Sequence, residues 1–191
     1  GTSGLNATIT PKALTIGAPT GITKTYDGSD AVTNVTMGTL SGFVGDETVA
    51  AGITSGTYGD KNAGSNKSVT VNYSLTDGTG GGKATNYSLA SSSVTTGAIT
   101  PKVLTITGTT VSGKTYDGTT DASVTAGTLN GLVGTEKLGV TAAGTFSSKD
   151  AGARTVTAAY TLANGDNGGL AGNYSLADTT GLNATITPKA L

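Results

Sequence analysis

The sequence predicts an all-β protein built as a tandem repeat. Three observations carry that reading: long segments return in register, apolar residues alternate with period two, and the composition favours strands and turns. Of 191 residues, 31 are glycine and 39 are threonine. Threonine is β-branched and favoured on a half-exposed pleated surface, and glycine supplies the positive φ that tight turns require. Only 12% of residues are charged, against about 25% in ordinary soluble domains. Such Gly/Thr/Ser-rich chains often stay disordered, but here the apolar residues are patterned rather than scattered.

The repeat comes first. Gly4–Leu14, GLNATITPKAL, recurs letter for letter at Gly181–Leu191, and GAITPKVL stands between them at Gly97–Leu104. Pro11, Pro101 and Pro188 are therefore 90 and 87 residues apart. Lys24–Gly28 (KTYDG) returns at Lys114–Gly118, GTLSGFVG at Gly38–Gly45 returns as GTLNGLVG at Gly127–Gly134, and NYSLA at Asn86–Ala90 returns at Asn173–Ala177. Tyr26, Tyr58, Tyr73 and Tyr87 pair with Tyr116, Phe146, Tyr160 and Tyr174, and every tyrosine is expected in a core or at its edge. A unit of about 88 residues exceeds the roughly 20–45 of a solenoid coil. It approaches the ~100 residues of an immunoglobulin-like β-sandwich, the fold expected for each copy.

Strands follow from alternation. Val69, Val71, Tyr73 and Leu75 fall on one face, as do Val156, Ala158, Tyr160 and Leu162, the mark of a strand with one buried side. Asp27-Gly28, Asp77-Gly78, Asp117-Gly118 and Asn164-Gly165 are turn signals. About six to eight strands per unit are expected, antiparallel or mixed, with no substantial helix.

The prolines mark the junctions. Apolar parity changes across them, from Ile99 to Leu104 and Ile106, which re-aims the chain from one core to the next. Proline donates no ladder hydrogen bond and suits the place where two ladders meet. The expected division is 1–11 as the closing strand of a preceding repeat, 12–101 and 102–188 as two repeat domains, and 189–191 as the start of another. No Gly/Ser-rich linker separates the copies, so a semi-rigid rod is expected, each repeat advancing it on the order of 35–45 Å.

Several chemistries lose their residues. Cysteine, histidine and tryptophan are absent, which removes disulfides, thiolate nucleophiles and the commonest general base and metal ligand. A net charge of −1, without runs of like charge, suggests neither nucleic acid nor an anionic membrane surface as partner. No apolar stretch approaches the ~20 residues that span a bilayer. No catalytic residue and no cofactor is expected.

Around Lys24, Tyr26, Asp27 and Gly28, and again at Lys114, Tyr116, Asp117 and Gly118, the sequence resembles the YDG-type repeat, grouped with MBG-like repeats of large bacterial surface proteins such as filamentous-haemagglutinin-like adhesins secreted by the two-partner route. The resemblance implies an exported or cell-surface location and a repeated stalk domain projecting a distal binding region. It implies no catalytic residue.

Other readings set further expectations. In the KTYDG turn, tyrosine anchors the core edge, aspartate bonds turn amides and glycine takes positive φ. The loops Asp77–Gly81 and Asp166–Gly169 are the candidate calcium loops, yet each offers one aspartate where calcium wants six to eight oxygens. Lys24/Lys114, Glu47/Glu136 and Asn86/Asn173 hold register and are the residue types of Lys–Asn isopeptide crosslinks, which require the three to meet around a buried lysine. Neighbouring repeats of the same chain are the expected partners. The alternatives are a glycan- or host-protein-binding module, and a filament subunit whose terminal strand, Gly1–Pro11, completes a neighbour's sheet.

Overall fold

The computed structural model describes residues 4 and 6–191. The chain forms two compact units, one comprising Gly1–Thr25 and Ser29–Thr100, the other Tyr26–Gly28 and Pro101–Leu191. Among the described residues, apart from two single-turn 3-10 helices, Ala84–Asn86 and Ala171–Asn173, all regular structure is β.

The first unit contains strands β1 (Lys12–Ile16), β2 (Thr23–Thr25), β3 (Leu40–Ser41), β4 (Val49–Tyr58), β5 (Gly64–Asp77), β6 (Tyr87–Leu89) and β7 (Ser92–Thr100). They build a three-stranded sheet, β3-β1-β6, and a four-stranded sheet, β2-β7-β5-β4. Most pairs are antiparallel, but β1 runs parallel to β6 and β2 runs parallel to β7. The expected alternation is present along β5, where Val69 and Val71 are buried and Ser68, Thr70 and Asn72 exposed. Leu14, Val49 and Tyr87 form a buried cluster with Leu40, Phe43, Leu75 and Leu89 packed against it. Ile22, Tyr58, Val69, Val71 and Ile99 are buried as well.

The second unit contains β8 (Lys102–Thr107), β9 (Thr110–Val111), β10 (Lys114–Thr115), β11 (Asp121–Ala122), β12 (Val124–Thr125), β13 (Thr128–Asn130), β14 (Leu138–Phe146), β15 (Gly152–Asn164), β16 (Tyr174–Leu176) and β17 (Thr179–Thr187). Its sheets are β13-β8-β16, β10-β17-β15-β14-β11 and the pair β12-β9. The parallel pairs recur, β16 with β8 and β10 with β17. Ten strands exceed the six to eight expected because isolated bridges of the first unit, Thr20–Thr36 and Ala31–Thr57, are two-residue ladders here. Phe146, Val156 and Ile186 form the buried cluster, with Val111, Ala122, Val124, Leu182 and Ala184 against it.

Pro101 lies between β7 and β8, Pro11 directly precedes β1, and Pro188 directly follows β17. The eleven-residue segment that occurs twice is used in two ways. In its second copy the residues before proline extend β17, held antiparallel to β15 and parallel to β10. In its first copy Asn6–Thr10 belong to no strand, while Lys12–Leu14 after the proline enter β1. Gly1–Pro11, expected to close a preceding repeat, has no ladder partner at its described residues, and Gly1–Ser3 and Leu5 lie outside them. Identical side chains cannot decide this; a strand exists only where a ladder partner satisfies its amides and carbonyls.

Candidate functional site

The lysine of each KTYDG turn is held by hydrogen bonds to residues close by in the chain. In the first unit Lys24 pairs with Ile99 at the end of β7, and its ammonium donates to the Ser29 carbonyl at 2.8 Å, the Ser29 hydroxyl at 3.0 Å and the Ala31 carbonyl at 3.0 Å. The same nitrogen lies 5.6 Å from the centre of the Tyr58 ring, within cation–π range. Lys114 repeats the arrangement 5.6 Å from the Phe146 ring centre. It donates to Asp117 Oδ1 at 2.9 Å, the Thr119 carbonyl at 3.0 Å and the Thr119 hydroxyl at 2.8 Å. Asp117 Oδ1 also accepts the Thr119 amide and hydroxyl, each at 2.9 Å. The Lys114 ammonium, reinforced by those Thr119 donors, holds the Asp117 carboxyl down at about 2. Gly28 and Gly118 close the turns at φ +83° and +82°, a region that side chains rarely enter.

Within the second unit, which includes Tyr26–Gly28, Tyr26 is 2% exposed. Its hydroxyl donates to Glu136 Oε1 at 2.6 Å, and the Tyr174 hydroxyl donates to Glu136 Oε2 at 2.6 Å. Tyr174 is fixed in turn by the Val133 amide, which donates to its hydroxyl at 3.0 Å. The two rings meet edge to face, centroids 5.4 Å apart at 78°, a favourable aromatic geometry. The Asn173 side chain hydrogen-bonds the Tyr26 hydroxyl, and Gly28 sits so close that a Cβ there would lie 2.9 Å from Val133 Cγ1. Val133, Glu136, Asn173 and Tyr174 form a socket that holds one tyrosine.

The first unit carries the same socket. The Tyr87 hydroxyl donates to Glu47 Oε2 at 2.6 Å and accepts the Val44 amide at 3.1 Å. Beside this pair lies a cavity of about 350 Å³, lined by residues including Val44, Glu47, Asn86 and Tyr87 with Ile9 and Pro11. Asn173 is 2% exposed, whereas Asn86 is exposed, and Val44 is 51% exposed. The tyrosine of the second turn also differs from its counterpart. Tyr116 is 36% exposed, which corrects the expectation that every tyrosine lies in or at a core.

Each socket is positioned by the glycine-rich loop behind it. Asp77 Oδ1 accepts the Ala84 amide at 2.8 Å, and Asn164 Oδ1 accepts the Ala171 amide at 2.8 Å, so each side chain sets the 3-10 turn that precedes the socket tyrosine. Asp77 also receives Lys83 at 2.9 Å. A Cβ on Gly82 or Gly169 would fall 2.0 Å from the carbonyl oxygen of Thr48 or Lys137. These loops are glycine-rich because two backbones nearly touch. Among the described residues no three His, Cys, Asp or Glu side chains converge on a common point.

Of the residues considered for an isopeptide crosslink, Glu47 and Asn86 line one cavity, while the lysines donate elsewhere. Lys24 and Lys114 serve their own turns, while Glu47 and Glu136 hold the socket tyrosines. The register of Glu47/Glu136, Asn86/Asn173 and Tyr87/Tyr174 was the available signal for the socket.

Burial, with the adjoining Glu136 carboxylate, pushes the Tyr174 hydroxyl up to about 12 from 10.0, and Tyr26 is raised for the same causes. A folded-state pKa above the unfolded one means stability fully present below the unfolded value and lost as pH rises through the folded one. The second unit is therefore expected to lose stability between about pH 10 and 12. Urea midpoints measured across that range should fall for the native chain. They should fall less for Tyr174→Phe, which lacks the titrating group; equal slopes would contradict the assignment.

Strands, turn and Glu–Tyr pair all recur together, so what repeats is a whole module, and this is a tandem-repeat all-β protein. The YDG domain profile matches residues 10–96 and 100–181, and the chain belongs to the YDG domain family. No curated protein and no solved structure matches it.

Proposed function

We propose that this chain is a non-catalytic structural module, a stalk or spacer of a bacterial extracellular adhesin or surface fibre that projects a distal binding region. Each repeat, over about 12–101 and 102–188, is an immunoglobulin-like sandwich in this reading, strung to the next through a proline. The observation that carries it is the duplication of a separately cored unit whose motif residues are engaged in hydrogen bonds of the turn and socket. Lys24, Lys114 and Asp117 all face partners within their own turns, which suits scaffolding better than substrate chemistry. The location outside the cell, or on the bacterial surface, and the kinship with MBG-type and two-partner-secreted adhesins belong to the same proposal.

A stalk must bear load. Pulling the chain from its termini should give two unfolding events, each releasing roughly 30 nm of polypeptide for a unit of this size. A single event, or extension without a force peak, would contradict the stalk reading. Saturable binding of this two-repeat chain on a glycan array would favour the binding-module alternative instead.

A further inference from the structure

Successive residues of a strand direct their backbone polar groups to opposite edges. The Ser147 amide donates to the Thr155 carbonyl on the β15 side, while the Phe146 amide donates the other way, to the Thr120 carbonyl. By that alternation Gly144, Ala142, Val140 and Leu138 turn their N–H and C=O groups away from β15. β11 reaches Gly144 through Ala122, and beyond it no strand pairs with that edge among the described residues. We propose that this free edge, over residues 138–142, pairs antiparallel with the same edge of a second copy of this chain, around a two-fold axis at Val140.

The occupant follows from what the strand carries. Leu138–Phe146 contains neither a charge nor a proline, two of the devices that keep edge strands from pairing. Its ladder with β15 also runs without a bulge. In the first unit β4 is likewise the outer strand of its sheet, so an open edge at this strand is a property of the module. There, however, the register shifts between Ile53 and Ser55, and a bulge twists an edge away from partners. Pairing β14 with itself about Val140 sets Leu138 opposite the partner's Ala142 and Thr141 opposite the partner's Gly139, large side chain against small. Leu138, Val140 and Ala142 are half-buried, Gly139 and Thr141 exposed. The two-fold therefore keeps core-side residues beside core-side residues, as the pleat requires. No charge meets a like charge, and an acidic or basic foreign strand finds no charge to answer its own.

Each facing pair of outward residues exchanges two hydrogen bonds. Roughly six bonds, at about one per 100–200 Å² of interface, correspond to about 600–1,200 Å² of buried surface, under the ~1,200–2,000 Å² of stable complexes. The dimer is therefore weak, with a Kd on the order of 0.1–1 mM. Being isologous, the contact closes on two copies and propagates no further. Where copies are held side by side, effective concentration makes such a weak contact count. The inference does not rest on the stalk reading; force or glycan data leave it untouched.

Sedimentation velocity and heteronuclear NMR of the whole chain test it. The average mass of the native 18.5 kDa chain should rise toward that of two copies between about 0.05 and 2 mM. The amides of Leu138, Val140 and Ala142 should shift on the same isotherm. Ala142→Pro removes an outward N–H and leaves the ladder to β15 intact, a change that an edge strand tolerates; its Kd should rise by about tenfold or more. Thr141 is exposed, so lysine or glutamate there spares the fold. Thr141→Lys alone, or Thr141→Glu alone, brings like charges to diagonal positions and should associate roughly threefold more weakly, while an equimolar mixture of the two recovers the native affinity. If Ala142→Pro unfolds the unit, the Thr141 variants decide. Constant mass and constant shifts of the native chain up to ~2 mM overturn the proposal and leave the edge to a strand of another protein. Association that Ala142→Pro leaves unchanged overturns it too, as does a Lys–Glu mixture no tighter than either variant alone.

Discussion

Alanine in place of Ile186 is expected to lower the stability of the second unit by about 2–5 kcal/mol. Ile186 is fully buried, 0% exposed, within the cluster of Phe146 and Val156. It lies on β17 between two ladder partners, opposite Gly152 on β15 and Lys114 on β10. Backbone hydrogen bonded on both sides cannot sink into the space left by the lost carbons, so a cavity adds to the lost transfer energy. A unit of this length has a total stability on the order of 5–10 kcal/mol, and the variant removes a large part of it. Urea denaturation followed by circular dichroism should show the loss as a lowered midpoint. A change under about 1 kcal/mol would mean the cluster is not a packed core.

The second large effect concerns space rather than burial. Alanine at Gly169 would place its Cβ 2.0 Å from the Lys137 carbonyl oxygen and 2.9 Å from the carbon. The obstacle is backbone, so no rotamer change relieves it. Moving the loop strains the bonds from the Lys137 amide to Asp166 and from the Gly165 amide to Gly169, at 3.0 Å each. A cost of about 1–3 kcal/mol is expected. Gly172→Ala, three residues on with nothing within 4 Å of its Cβ, should stay within about 0.5 kcal/mol of the native chain. Equal midpoints for the two variants would show that the loop has room the close approach denies.

Much of the fold was legible in the sequence, because repetition and parity are local. The alternation at Val69 and Val71, and at Val156 and Ala158, needed only the pleat to be read correctly. Gly28 and Gly118 take the positive φ expected of an Asp-Gly turn. What pairs with what was not legible. Nothing local shows that Lys12 runs parallel beside Tyr87, or Lys24 beside Ile99, since parallel pairing joins residues about 75 apart in the chain without a turn signal between them. The socket is harder still. Tyr26 and Glu136 are 110 residues apart, and the register of Glu47 with Glu136 said only that something held both. Tyr26 and Tyr116, alike in motif, differ in burial because burial depends on what surrounds a turn and not on its letters. The segment shared by Gly4–Leu14 and Gly181–Leu191 makes the same point for strands.

Residue-resolved hydrogen exchange of the Ile186→Ala chain, read by NMR in rising urea, tests most directly whether each copy closes a core of its own. Protection should drop along β14, β15 and β17 by the full loss of stability. Amides of β4, β5 and β7 should exchange as slowly as in the native chain. Equal loss in both sets would mean that one cooperative core runs through the two copies, contrary to the separate clusters around Val49 and Phe146.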